Sequence, residues 1–409
     1  MTFTNDFRVV TRIAGATILA LVTACSDATS PAPVRTWASL SAGDNFTCGL
    51  TTTGAAFCWG SNNVGQLGDG SKDSSMGYQR LAPVAVTGGL TFRSLTAGDL
   101  HVCALTASGM AYCWGADDAG QLGDAALHGS PGAFRDEPVA VQGGLAFSSL
   151  AGGGIHTCGV TQSGATYCWG LNVNGQLGND SIITRTVPVA VVGGLDISSV
   201  AAGFMHSCAI TTEGAAYCWG NDIDGALGTA QVPGVCPSFG ALSDVVPCIR
   251  SPAPVWGTST FAQISGGYDH TCGVTRRGEA YCWGDNGDGQ LGNNSASGVD
   301  SLPVQVSGDL TFTLVSGGWG STCAVTAGGA AYCWGDNSSG ELGDGSTTLR
   351  RAPVQVSGGL QFASVTVGNR HACGVTVIGN AYCWGLNTNG ELGDSSTANS
   401  LFPVEVLIP

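Results

Sequence analysis

The sequence predicts an all-β fold, a single seven-bladed β-propeller, and three observations predict it. Cys-Trp-Gly recurs seven times, starting at Cys58, Cys113, Cys168, Cys218, Cys282, Cys333 and Cys383. A second cysteine stands ten residues upstream of each, at Cys48, Cys103, Cys158, Cys208, Cys272, Cys323 and Cys373. Downstream comes Gly-x-Leu-Gly, starting at Gly65, Gly120, Gly175, Gly225, Gly289, Gly340 and Gly390. A Pro-Val pair then follows, at Pro83, Pro138, Pro188, Pro254, Pro303, Pro353 and Pro403. The period is about 50–55 residues, with one step of 64 between Cys218 and Cys282, which is the length of a propeller blade.

One unit reads as four short strands. Between Pro83 and Gly123, Val84-Ala-Val86 is a brief β-prone run, and Thr91–Leu95 alternates apolar and polar at period two. The runs His101–Thr106 and Met110–Trp114 flank Ala-Ser-Gly109, a three-residue hairpin loop with Gly where φ must be positive. Symmetry about that loop sets Cys103 opposite Cys113, close enough for a disulfide. The first unit starts in mid-repeat at Trp37, and no further unit follows the last Pro-Val run, Pro403–Val406. The expectation is a ring closed by pairing of the N- and C-terminal strands, with Pro33-Val34 competing for the same place.

The same spacing predicts seven disulfides: Cys48–Cys58, Cys103–Cys113, Cys158–Cys168, Cys208–Cys218, Cys272–Cys282, Cys323–Cys333 and Cys373–Cys383. Zinc would need convergent Cys-x₂₋₄-Cys ligands, which the spacing lacks. Cys236 and Cys248 fall in the insertion 229–253, which makes the long step between the fourth and fifth repeats. They are expected to form an eighth bridge that pins a projecting loop, either a tolerated insertion or a binding element. So many paired cysteines point to an oxidising compartment.

The N-terminus supports that address. Residues 1–24 carry Arg8 and Arg12 before the apolar run Ile13–Ala24, too short to span a bilayer comfortably. The run ends at Val22-Thr23-Ala24-Cys25, which resembles a bacterial lipobox with Cys25 as the lipidated residue. Residues 25–36 read as a flexible tether. The expected location is extracytoplasmic, in the bacterial cell envelope, facing the periplasm or on the outer membrane, with the lipid anchor as the sole membrane attachment. Net charge is −15, with one lysine, Lys72, so no basic stripe exists to neutralise phosphates, and nucleic acid is excluded as a partner.

The runs Ala97-Gly-Asp-Leu-His-Val-Cys-Ala-Leu-Thr106, Ala111-Tyr-Cys-Trp-Gly115 and Gly120-Gln-Leu-Gly123 resemble the repeat of the regulator of chromosome condensation (RCC1) family. The resemblance covers residues 37–409. It implies a seven-bladed propeller, and its founding activity is guanine-nucleotide exchange on a small GTPase.

Histidine recurs two residues before the first Cys, at His101, His156, His206, His270 and His371, with Phe46 and Ser321 in the remaining units. A repeated structural hydrogen bond explains this better than a metal ring, and the family has His at this place too. The Asp- and Asn-rich stretches such as Asn221–Gly225 and Asp285–Gly289 lack the calcium-loop pattern and read as turns. No nucleophile elbow, phosphate loop or His-Glu-x-x-His is found, so neither a catalytic residue nor a cofactor is expected.

The copies differ most at two residues just before the His position. These are Asp44-Asn45, Asp99-Leu100, Gly154-Ile155, Phe204-Met205, Tyr268-Asp269, Trp319-Gly320 and Asn369-Arg370. Repeat geometry places all seven pairs on one face around the axis, a mixed aromatic and charged ring suited to protein recognition. The expected function is therefore non-enzymatic binding of a protein or cell-envelope component. The alternatives are an exchange factor and a hydrolase with its site in the central channel.

Overall fold

The computed structural model describes residues 36–71, 78–126 and 132–408, so the expected signal segment, Cys25, Pro33-Val34 and all of the expected tether but Thr36 lie outside the described residues. The first blade consists of β1 (Trp37–Ala42), β2 (Phe46–Thr51), β3 (Ala56–Ser61) and β4 (Gln79–Ala85), in that spatial order. Six further antiparallel sheets repeat it over residues 92–140, 147–190, 197–254, 261–305, 312–355 and 362–405. The first strand of each blade packs on the first strands of both neighbours and so rings the axis.

The middle hairpin forms as its turn dictates. Gly109 has φ of +86°, its N–H donates to Thr106 O at 2.9 Å, and Thr106 N–H donates to Met110 O at 3.0 Å. That register sets Cys103 against Cys113, and the same pairing recurs in all seven blades. All seven intra-blade disulfides are present, with Cα–Cα distances of 4.0–4.1 Å. Each closes a short loop and contributes about 2–3 kcal/mol on the chain-entropy account.

Two expectations about the frame are corrected. The Pro-Val strand does not open a unit; it is the outermost strand of the blade before it, as the pairs Cys58↔Val84 and Cys113↔Val139 show. Accordingly Ser400–Glu405 pairs with Ala381–Gly385 inside the seventh blade, and β1 pairs with β2, so the termini do not share a sheet. The physical reason is that each blade already holds its four strands contiguously. The ring closes by packing: Ala42 N–H donates to Thr366 Oγ1 at 3.1 Å and Trp37 N–H to Gly379 O at 2.9 Å.

The insertion also sits differently. It falls inside the fourth blade, where Gly234–Ser238 adds a fifth strand to the edge of the long strand Ala241–Pro254. Cys236–Cys248 joins these two strands, and Asn174 Nδ2 of the preceding blade donates to Pro237 O at 2.9 Å. The element is a hairpin lying along the sheet edge, held by a ladder, a bridge and a neighbour.

The core is seven wedges between blades, since a propeller has an axis where a globule has a centre. In the wedge between the first two blades, Phe46, Leu50 and Leu67 pack on Phe92, Val102 and Trp114. The wedge between the seventh and first blades is built alike, with Trp37 and Trp59 on Val375, Leu392 and Val406. The Trp of every Cys-Trp-Gly is fully buried, and its Nε1–H donates to the carbonyl of the x residue in Gly-x-Leu-Gly of the preceding blade at 2.8–3.1 Å. Here the second Gly of that motif is required: a Cβ on Gly228 would lie 2.6 Å from Trp283 Nε1.

The histidines belong to the same seam. The Nε2–H of His101, His156, His206, His270 and His371 donates to a Thr or Ser hydroxyl of the next blade at 2.8–2.9 Å. That hydroxyl donates in turn to the carbonyl that receives the Trp, at 2.8–3.1 Å. Because the hydroxyl hydrogen goes to the carbonyl, the ring must supply the other hydrogen, which assigns the Nε2–H tautomer. Where the His is missing the hydroxyl is missing too: Phe46 faces a blade carrying Val102, and Ser321 one carrying Ala372. Among the described residues no cluster of His, Cys, Asp or Glu has the arrangement of a metal site, and no helix is long and apolar enough to cross a membrane.

Candidate site at the channel mouth

The axis opens at one end into a cavity of about 370 Å³. Its wall is a belt of glycines followed by the first residue of each variable pair. Gly98 shows why glycine is needed: a Cβ there would stand 2.3 Å from Gly153 O and 2.4 Å from the His101 ring. Backbone N–H groups bridge the blades around this belt, such as Gly154 N to Gly203 O at 3.1 Å and Tyr268 N to Gly318 O at 3.0 Å.

The two members of each pair part company at the mouth. Asp44, Asp99, Gly154, Phe204, Tyr268, Trp319 and Asn369 line it. Asn45 donates from Nδ2 to Asp44 at 2.9 Å, and Leu100 is 39% exposed. Met205 corrects the expectation of a binding role. It is 3% exposed, with its Sδ accepting from Gln176 Nε2 at 3.7 Å, because the second position of that pair turns into the wedge between blades. Asp269 and Arg370 remain on the same face, outside the mouth.

The wall has two unlike arcs. Over the fourth to sixth blades, Phe204 stacks on Tyr268 with ring centres 4.1 Å apart and planes 13° apart. Tyr268 meets Trp319 edge-on, with ring centres 5.6 Å apart. The Arg370 guanidinium lies 6.0 Å from the Trp319 ring, whose residue is 44% exposed. Gly154 makes room for Phe204, since a Cβ on it would touch that ring at 2.3 Å. The opposite arc is acidic. Asp44 accepts from Asn369 and Asn45, whereas Asp99 has no side-chain hydrogen bond among the described residues.

Profiles for the "Regulator of chromosome condensation (RCC1) repeat" match residues 37–66, 92–121, 197–226, 261–290, 312–341 and 362–391. A second profile of the same description matches 53–105, 163–210, 277–325 and 328–375. Together they cover more than half of the chain. This chain belongs to the RCC1 repeat family. The ultraviolet-B receptor UVR8 of Arabidopsis thaliana is 32% identical over 331 residues, 80% of this chain and 60% of the receptor. The secretion-regulating guanine nucleotide exchange factor of Bos taurus is 28% identical over 72% of this chain and 62% of that protein. The chain thus spans about three fifths of these relatives. The structure of yeast RCC1 (Prp20), solved bound to Kap60, superposes with a TM-score of 0.73 at 19% identity, covering 92% of this chain and 84% of that one, which shows the fold.

On this RCC1 propeller the mouth is surrounded by further carboxylates that sequence comparison missed, because they sit in turns that alignment of the copies reads as turn chemistry. Asp269 is pushed up to about 7 by burial, reinforced by Asp224 and Asp285. Asp288 and Asp336 flank Gly320, next to Trp319, and Asp288 is raised by burial and then by Asp336. Glu341 is buried, not on the mouth, and is pushed up to about 7 by that burial, with Asp336 adding to it. Asp99 also reaches about 7, through burial and then the charge of Asp44. Tyr268 is raised by burial and by Asp269, Asp99 and Asp44, so its phenol feels both arcs.

Proposed function

We propose that this RCC1 propeller is a non-enzymatic binding module and that its partner, a protein or a cell-envelope component, docks on the channel mouth. One observation carries this reading. The positions that differ most between blades converge on one cavity, and three of them form a continuous aromatic arc ending in a half-exposed tryptophan. Aromatic anchors at the centre of a face are the residues that dominate protein interfaces. The relatives agree in kind, since yeast RCC1 is solved in complex with a protein, Kap60. Cross-linking from a photoreactive residue at Leu100 identifies the partner. The variant Phe204→Ala, Tyr268→Ala, Trp319→Ala is expected to bind that purified partner at least 100-fold more weakly; unchanged affinity sinks the reading.

The reading includes export and lipid anchoring at Cys25. The apolar run before Cys25 and the eight bridges support it, because buried disulfides on this scale belong to an oxidising compartment. Fractionation with intact-mass analysis is expected to give an envelope-bound chain that starts at Cys25, carries lipid and holds sixteen oxidised cysteines. A full-length reduced chain would overturn export and return the exchange-factor alternative.

A further inference from the structure

We infer that the channel mouth receives a basic polypeptide segment, with one Lys or Arg side chain entering between Asp99 and Tyr268 and its neighbours lying on the carboxylate arc outside Phe204, Tyr268 and Trp319. This rests on the binding reading above and specifies the chemistry of the partner.

Three independent features point to a cation. The first is Asp99 itself. It lines the cavity, is half-buried with its carboxylate facing the channel, and has no side-chain hydrogen bond among the described residues. The adjacent Asp44 is held by two amides, so the pair is half satisfied. A half-buried carboxylate that no protein donor holds is poorly solvated, and an ammonium or guanidinium group is the ligand that complements it. The second is the opposite wall. Tyr268 offers an aromatic ring and a hydroxyl close enough to Asp99 and Asp44 to feel their charges, which suits a cation bearing an aliphatic stem. The third is the surround. Asp224, Asp269, Asp285, Asp288 and Asp336 act on one another through their charges across the fourth to sixth blades, outside the aromatic arc. Arg370 and Arg351 are the cations that act on them. An aromatic centre inside an acidic rim is the complement of a segment that carries basic residues around an apolar contact.

The held-back ionisation of this face supplies a signature. Placing a cation beside Asp99 restores its charged form, so binding near pH 7 releases protons.

Titration calorimetry of the full chain with hexalysine amide tests the inference, with hexaglutamate as the sign control. Hexalysine is expected to bind, to weaken as salt rises, and to give heats that depend on buffer ionisation at pH 7. Asp99→Asn is expected to lose at least 10-fold in affinity together with part of the proton release. Tyr268→Ala is expected to lose affinity and keep the proton release. Glu213→Gln, at the hairpin end of the fourth blade, is expected to change neither. Thermal melts confirm that each variant is folded. Equal hexalysine binding by Asp99→Asn and Glu213→Gln means attraction by net charge alone and overturns the inference, as does no binding. If the identified partner needs the three aromatics but hexalysine does not displace it, the basic-segment inference fails while the docking face stands.

Discussion

Trp283→Ala is expected to lower stability by about 3–5 kcal/mol, a substantial part of what a domain possesses. Trp283 is fully buried between the fourth and fifth blades, packed on Phe261 at 6.0 Å and on Leu227 and Ile210. Truncation removes that apolar surface and leaves a cavity that rigid flanking strands cannot close. It also removes the indole donor to Ala226 O at 2.9 Å. That carbonyl keeps the Thr271 hydroxyl at 2.8 Å, so the polar loss is partial and the packing loss dominates. Trp283→Phe, which keeps most of the packing, is expected to cost about half as much. Urea unfolding of the oxidised protein measures both. A loss of under about 1 kcal/mol for the alanine variant would mean that the seam is not a cooperative contact.

Stability is expected to be greatest between about pH 4 and 6.5 and to fall on either side, from two opposed sets of buried and half-buried groups. Asp99, Asp269 and Glu341 ionise near 7 in the folded chain and Asp222 near 6, whereas unfolded they ionise near 4. Their contribution is complete below about pH 4 and is lost as pH rises through 6 and 7. His101, His270 and His371 are held near 4, and His156 and His206 near 3, by burial. Their contribution is complete above pH 6.5 and is lost as pH falls towards 3–4, because the unfolded chain takes up the protons first. Between about 4 and 6.5 the five rings oppose these carboxyls together with Asp44, Asp224, Asp288 and Glu391, which burial also raises, and the two sets largely offset each other. Above 6.5 only the carboxyls act, and stability falls. Below about 4 the carboxyl contribution saturates while the rings continue, so unfolding becomes steep. Urea midpoints from pH 3.5 to 8.5 trace this profile. Asp99→Asn with Asp269→Asn is expected to gain about 1–3 kcal/mol at pH 8 and to flatten the alkaline side. A parent protein that gains stability from pH 6.5 to 8 would contradict the assignment.

Much of this was legible in one chain because it holds seven aligned experiments. Blade number, hairpin register and seven of the eight disulfides follow from spacings that repeat, and the eighth from two cysteines that share one insertion. The axial ring follows from positions that vary within a fixed frame. The His and hydroxyl partnership was also legible in principle. Phe46 with Val102 and Ser321 with Ala372 break the pattern together, but the match appears only when each copy is compared with the next one along. Met205 was misplaced because its pair was read as one unit, while the backbone aims the first residue at the channel and the second at the seam. Asp224, Asp285 and Asp288 were passed over because Asp in a turn has a sufficient local reason to be there.

The sequence by itself determined the repeat, its strands and its bridges, since these depend on neighbours within about fifteen residues. Only the tertiary structure decided how the ring closes and what its mouth presents. Closure turns on which sheet the Pro-Val strand joins, and an extended strand can pair on either side. The mouth brings together Asp44 and Asn369, and Phe204 and Tyr268, from different blades. Their meeting is set by curvature accumulated over seven sheets, a property that no local pattern carries.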